Sequence, residues 1–377
     1  MTNRVRPGPV HVVGLSCTPL LAEQDAVLDE LVFDAVSAAL SECALRKSDV
    51  GLSVLASMDV PDGRSISSGL TTAAAAGYLS DSYRLEADSG SAVAAAAQAV
   101  AAGDVEIAIA VGVHNPEHHA EDDAGRRRFL EQLSNLAFEP AFDRPVGMTA
   151  QTVYGMQAAH ALHSGEVSLD DWAELSAAAI TRGATGRRPG RSGPVTAADV
   201  LASAPVVSPL LDLMLPAPVT GAAAVVLASP ARAARLLGRS AVLTGIGQAT
   251  GDHTWTGDWL TRPGATTARA AADAYQNAEL VDPGAEVAVV ELSAPTPALH
   301  GPYLAALQLQ GLAPERVSPS GGLASAHAGL ANGIIRLLEA VEWLEQHQPR
   351  GRAVVHSVDT ITGTVSEEST VVVVEGI

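Results

Sequence analysis

Cysteine is nearly absent. Cys17 and Cys43 are the only two in 377 residues. Neither stands in a Cys-x-x-Cys pair or at zinc-ligand spacing with histidine, so no spacing supports a structural zinc site, and a reducing cytoplasm is the simplest setting. Aromatic residues make up 3%, which leaves packing to Ala, Val, Gly and Leu and suits close helix–sheet contacts. Positive charge is scarce: 23 Lys and Arg against 42 Asp and Glu give a net charge of -19. Nucleic acid is thereby excluded as a partner, since phosphate binding needs a basic face, and an anionic ligand needs a local cluster of arginines. No apolar run reaches membrane-span length without Gly, Pro or charge. The stretch MTNRVRPGPVHVVGL has no apolar segment of signal-peptide type, so a soluble cytoplasmic protein is expected.

What is present is a large apolar fraction, 47% hydrophobic with 17% charged, enough for an extensive core in two halves. The sequence reads as one pattern written twice. An apolar strand ending in Gly (VHVVGLSC, then AVLTGIGQ) leads into a helix (LVFDAVSAALSECAL, then ATTARAAADAYQNAEL). A strand follows (VGLSVLAS, then EVAVVELS), and a Ser/Gly turn enters a second helix (ADSGSAVAAAAQAVAAG, then SPSGGLASAHAGLANGIIRLLEAVEWL). Each half closes with two strands: EIAIAVGV and GAAAVVLAS in the first, AVVHSV and STVVVVEGI in the second. Strands apolar on nearly every residue are buried on both faces, and their alternation with helices predicts a layered α/β protein. The halves are placed at 1–229 and 238–377, with ASPARAARLLG as a helical linker. An insertion of about 114–207 interrupts the first half. It is long enough to be functional.

Several groups carry candidate chemistry. At Asp88-Ser89-Gly90, Asp88 or Ser89 caps the following helix and Gly90 permits the tight turn; Ser89 is alternatively a nucleophile with His327 as its base. His114, His118 and His119 lie among Glu117, Glu121, Asp122 and Asp123, but the spacing matches no metal motif and predicts a solvated acidic loop start. Arginines concentrate in GRRRF and in TRGATGRRPGRSGP, where Arg182, Arg187, Arg188 and Arg191 form either a solvated loop or an anion clamp. Tyr303 and His300 follow the loop ELSAPTP; Tyr303 is either an acid–base group or a core residue.

The order of these motifs resembles the thiolase superfamily, in particular its sterol-carrier-type members, over nearly the whole chain. EADSGSAVAAAAQAVAAGD is similar to the family's nucleophile turn and helix. FDRPVGMTAQTVYGMQAAHAL resembles the opening of its loop domain. GPVTAADVLASAPVVSPL with PVTGAAAVVLAS is the most specific match, and SPSGGLASAHAGLANG resembles the Gly-His-Pro segment with His327 at the histidine. The resemblance implies a duplicated five-layer α-β-α-β-α fold with an inserted loop domain, a dimer, and an acyl-CoA or acyl-carrier ligand entering beside the loop domain. The catalytic set departs from the family. Ala87 or Asp88 stands where the nucleophilic Cys belongs, Ser293 where a His or Asn belongs, and Ala328 where the Pro after the histidine belongs. HSVDTITGTV holds no second Cys; His356, Ser357 and Asp359 are its polar candidates, and Gly363 is similar to the family's Gly-rich turn.

A thioester mechanism of the thiolase type needs a thiolate, so no Cys-dependent thiolase activity is expected. Three functions remain open. The chain is a non-catalytic or co-catalytic subunit of an acyltransferase or condensing complex, paired with itself, with a Cys-bearing thiolase or ketosynthase, or with a small acyl-CoA-binding subunit. Or it is a thiol-independent carbon–carbon lyase of the retro-aldolase type on an acyl-CoA, with His327 polarising the thioester and Tyr303 or Asp88 moving the proton. Or it is an acyl-CoA- or lipid-binding module. No permanently bound cofactor and no metal are expected; acyl-CoA is the ligand or substrate.

Overall fold

The computed structural model describes residues 8–22, 24–58, 72–77, 80–115, 131–191, 193–239, 241–251, 258–359 and 368–377. Its centre is a nine-stranded sheet in the order β3-β2-β4-β7-β1-β8-β11-β10-β9. The strands are β1 (Val10–Cys17), β2 (Leu52–Ala56), β3 (Asp81–Leu85), β4 (Ile107–His114), β7 (Gly221–Ala228), β8 (Ala241–Thr250), β9 (Val287–Leu292), β10 (Arg352–Val358) and β11 (Glu368–Gly376). A separate hairpin joins β5 (Pro205–Val207) and β6 (Leu210–Leu211).

The repeat is legible in the pairing. From β1 outward, β7 and β4 pair antiparallel and β2 joins β4 parallel. From β8 outward, β11 and β10 pair antiparallel and β9 joins β10 parallel. The two series meet where Val10, His11 and Val12 pair with Leu243, Val242 and Ala241. β4, β7 and β9 are buried at every residue, as strands covered on both faces must be.

Helices α1 (Leu28–Glu42) and α2 (Ser89–Ala102) belong to the first series. α1 buries Leu28, Leu31, Val32, Ala35, Val36 and Ala39 on one stripe, the 3.6-residue period of a surface helix, and covers the outer faces of β1, β4 and β7. Its counterpart α6 (Ala265–Ala278) covers β8 and β11. That approach is close: a side chain on Gly245 or Gly247 would collide with the carbonyls of Ala274 or Ala270. α2 and α8 (Asn332–His347) pack on each other and on strands of both series, forming the middle layer of a five-layer α-β-α-β-α stack. The small side chains of α2 (Ala92, Ala94, Ala96, Ala97) are wholly buried there.

The segment between β4 and β7 is largely helical where described, not an irregular loop. It holds α3 (Ala150–Ser164), α4 (Leu169–Ala184) and α5 (Ala197–Ala202). Each begins with a reciprocal cap, Thr149 with Thr152, Ser168 with Asp171, and Thr196 with Asp199, which satisfies donors that a helix start leaves open. α7 (Pro297–Ala306) follows β9. The linker ASPARAARLLG is helical only over Pro230–Ala233. No helix among the described residues is long and apolar enough to cross a membrane.

Candidate functional site

The turn before α2 is committed to internal bonds. Asp88 Oδ1 accepts from Gly90 N at 2.8 Å, a helix cap. Ser89 Oγ accepts from Ile334 N at 3.0 Å, tying α2 to the first turn of α8. Ser91 Oγ donates to Glu368 Oε1 at 2.7 Å and accepts from Gln248 Nε2 at 3.1 Å. The helix dipole favours an anion at Asp88, yet burial dominates and lifts its carboxyl to about 8, opposed by the Gly90 N–H and the Ser357 hydroxyl. Asp88 is therefore mainly an uncharged acid at neutral pH.

A cavity of about 180 Å³ opens beside the inserted helices and is lined by His114, Glu131, Tyr154, Arg191, His327 and Gly329 among others. Asp88 and Ser89 are not among its described lining residues. His327 does not sit at a helix start. It lies five residues before α8 in an extended strap, where its N–H donates to Ala217 O at 2.8 Å and its carbonyl accepts from Val219 N at 3.0 Å. Burial, then His114 and Arg336, push its imidazole down to about 3, so the ring is neutral and can donate from one nitrogen and accept at the other. Gly329 (φ +45°) lies against the His114 ring, which a side chain there would strike.

His114 was expected in a solvated acidic loop. It instead ends β4, 5% exposed, and lines the cavity. Its sequence signal is position: it is the first polar residue after a wholly apolar strand, where α/β sheets present ligand-binding groups. His118, His119, Glu117, Glu121, Asp122 and Asp123 lie outside the described residues. Among the described residues, no group of three or more His, Cys, Asp or Glu is placed to hold a metal. Tyr154 on α3 and Glu131 were not singled out by the sequence; nothing in the sequence distinguishes them from other surface and core residues of the insertion.

The four arginines do not converge. Arg191 lines the cavity, with Nη2 donating to the carbonyls of Asp212 and Leu215 at 3.3 Å each. Arg188 is bound by Glu339 and Glu342 of α8 at 2.7 and 2.8 Å, and Arg187 reaches Glu342 at 3.2 Å. Their charges are answered within the chain, pinning the insertion to α8, rather than forming a shared anion clamp. Arg182 lines a second, smaller cavity. Tyr303 is 2% exposed in the core, edge-on to His356 with ring centroids 4.8 Å apart. Burial pushes His356 down to about 3, and its Nε2 pairs with Thr267 Oγ1 at 3.0 Å. Ser293 is buried behind β9, its N–H donating to His356 O at 3.2 Å. Neither cysteine lines the His327 cavity; burial lifts the Cys17 thiol to about 12 and the Cys43 thiol to about 11, far from thiolate reactivity.

The sequence also passed over a network built on a wholly buried ion pair. Glu291, at the end of β9, pairs with Arg336 of α8 at 3.0 Å and accepts from Ser320 Oγ at 2.7 Å and Ser320 N at 3.2 Å. It fastens β9, α8 and the Gly321-Gly322 turn into one block beneath the His327 strap.

No family model and no curated protein matches the sequence. Solved structures do match the fold. An "Ltp2-ChsH2(DUF35) aldolase" is similar with TM-score 0.76 and 19% identity, covering 99% of each chain. Human mitochondrial 3-ketoacyl-CoA thiolase is similar with TM-score 0.77 and 14% identity, covering 99% of this chain and 100% of that one. With its mirrored strand series, buried central helices and inserted helical segment, the chain has the thiolase-like fold.

Proposed function

We propose that the chain is the thiolase-fold subunit of a thiol-independent carbon–carbon lyase acting on a β-hydroxyacyl thioester, with acyl-CoA as substrate. The observation that carries this reading is the cavity at His327, which gathers His114, Tyr154, Glu131 and Arg191 while both thiols lie elsewhere. In the proposed step, His114 takes the proton of the β-hydroxyl. The Cα–Cβ bond breaks, its electron pair moves to the thioester oxygen as an enolate, and the β-carbon leaves as an aldehyde or ketone. The neutral His327 donates to that oxygen as charge develops. The Tyr154 hydroxyl returns a proton to the enolate carbon, leaving a shortened acyl thioester. The aldolase neighbour, whose name pairs Ltp2 with ChsH2(DUF35), supports both the reaction class and work alongside a second subunit.

The test supplies β-hydroxyacyl-CoA esters to the chain with its copurifying partner and follows products by mass spectrometry. A shortened acyl-CoA and an equimolar carbonyl product are expected. His327→Ala should lower kcat by about 10²-fold or more, while Cys17→Ala should leave the rate unchanged. Turnover independent of His327, or lost with Cys17, sinks the reading.

A further inference from the structure

The second cavity, about 50 Å³, lies between α4, the loop after β9, the start of α7 and the Gly321-Gly322 turn. One water needs roughly 10–15 Å³, so the space admits a small ionic group. Its polar lining includes Arg182, Thr296, His300 and Ser318. Thr296 is 2% exposed, and among the described residues its Oγ1 and the Nε of Arg182 are buried without a hydrogen-bond partner. A buried hydroxyl or guanidinium nitrogen left unsatisfied is costly, and arginine cannot shed its charge to relieve that cost.

The charges are unbalanced in one direction. Glu291 is the carboxylate that Arg182 senses, but Glu291 is already held by Arg336 and by both donors of Ser320. Among the described residues, Arg182 thus has no carboxylate of its own. His300 adds no charge: burial, then Arg182, lower its imidazole to about 4, so it enters the cavity as a neutral ring with one N–H to donate.

We propose that this cavity is a binding subsite for a small oxyanion, held by the Arg182 guanidinium and the Thr296 hydroxyl with the His300 N–H as a third donor. A planar guanidinium suits carboxylate and phosphate oxygens alike. The shared chemistry is one oxyanion group, borne either by a carboxylic acid or by a phosphate. Leu215, Pro216 and Pro295 line both this cavity and the one at His327, so an anion here braces a wall of the reaction cavity. The subsite stands apart from the lyase reading, because free oxyanions probe it without substrate or turnover.

Thermal unfolding of the full chain at pH 7 and fixed ionic strength, with sodium acetate, sodium phosphate or sodium chloride, tests it. A saturable rise in Tm of about 2 °C at ten times the Kd is expected for acetate or phosphate above chloride, and Arg182→Gln should weaken binding at least tenfold. Should Arg182→Gln itself fail to fold, Thr296→Val preserves shape and removes the hydroxyl; it should fold and bind more weakly. Stabilisation by acetate alone assigns a carboxylate, and by phosphate alone a phosphorylated ligand. Responses to both anions equal to chloride, or unchanged in both variants, overturn the proposal.

Discussion

At Asp88 two effects oppose each other on a single carboxyl group. The helix start and the Gly90 N–H favour charge; complete enclosure disfavours it and wins, so the folded pKa lies near 8 against 3.8 for an ordinary Asp. A folded-state pKa raised above the unfolded one gives a stabilising contribution that is complete below about pH 3.8 and is lost as pH rises through 8. Asp88→Asn keeps the shape and the acceptor but not the titration. Between pH 5 and 8, urea unfolding should show wild type losing stability relative to Asp88→Asn by up to about 1.4 kcal/mol per pH unit. Parallel pH profiles would show that Asp88 ionises normally in the fold.

Among the elements, α8 is the one to which most of the site is fastened. Arg336 joins it to Glu291 of β9, Ile334 N holds Ser89 at the start of α2, and Glu339 and Glu342 bind Arg188 of the insertion. The Glu291–Arg336 pair is 0% and 2% exposed in its side chains. Removing one partner of such a pair leaves a buried charge unanswered, which costs about 3–5 kcal/mol. Glu291→Gln should show a loss of that size in denaturant unfolding, whereas Arg187→Ala, which removes a half-exposed contact, should change stability by less than about 1 kcal/mol. Equal losses in the two variants would place the weight of the fastening elsewhere.

Over the whole molecule, enclosure also governs the histidines. His300, His327 and His356 are lowered to about 4, 3 and 3. Groups whose folded pKa is depressed below an unfolded value near 6.5 take up protons first in the unfolded chain, so stability falls as pH drops from about 6.5 toward 4. Asp88, Glu291 and Glu345, whose carboxyls burial raises, act in the opposite sense, so a ring's share is read by difference. From pH 7 to pH 5, wild type should lose stability relative to His356→Gln in urea unfolding; parallel profiles would mean that this ring titrates normally in the folded protein.

Apolar strands, paired turns and a twofold order of elements carried the architecture in the sequence, because burial on both faces demands unbroken Val, Ala and Leu runs such as GAAAVVLA and VAVVEL, and layering follows from their alternation with helices. A helix start was equally legible at Asp88, where a cap is a local matter of two or three residues. Of the cavity's residues, His327 and Arg191 were legible. His114 ends one strand, Tyr154 lies on an inserted helix and His327 sits in a strap some two hundred residues from His114 (His114–His327, |i−j| = 213), and only the packing of the insertion against the strap brings them to one cavity. Whether an arginine is a ligand's or a neighbour's was likewise decided in three dimensions: Arg188 meets two carboxylates of α8, while Arg182, six residues earlier, meets a cavity. Local order follows from what each short segment must bury or satisfy; charge balance and proton affinity depend on which distant groups share a volume from which water is excluded.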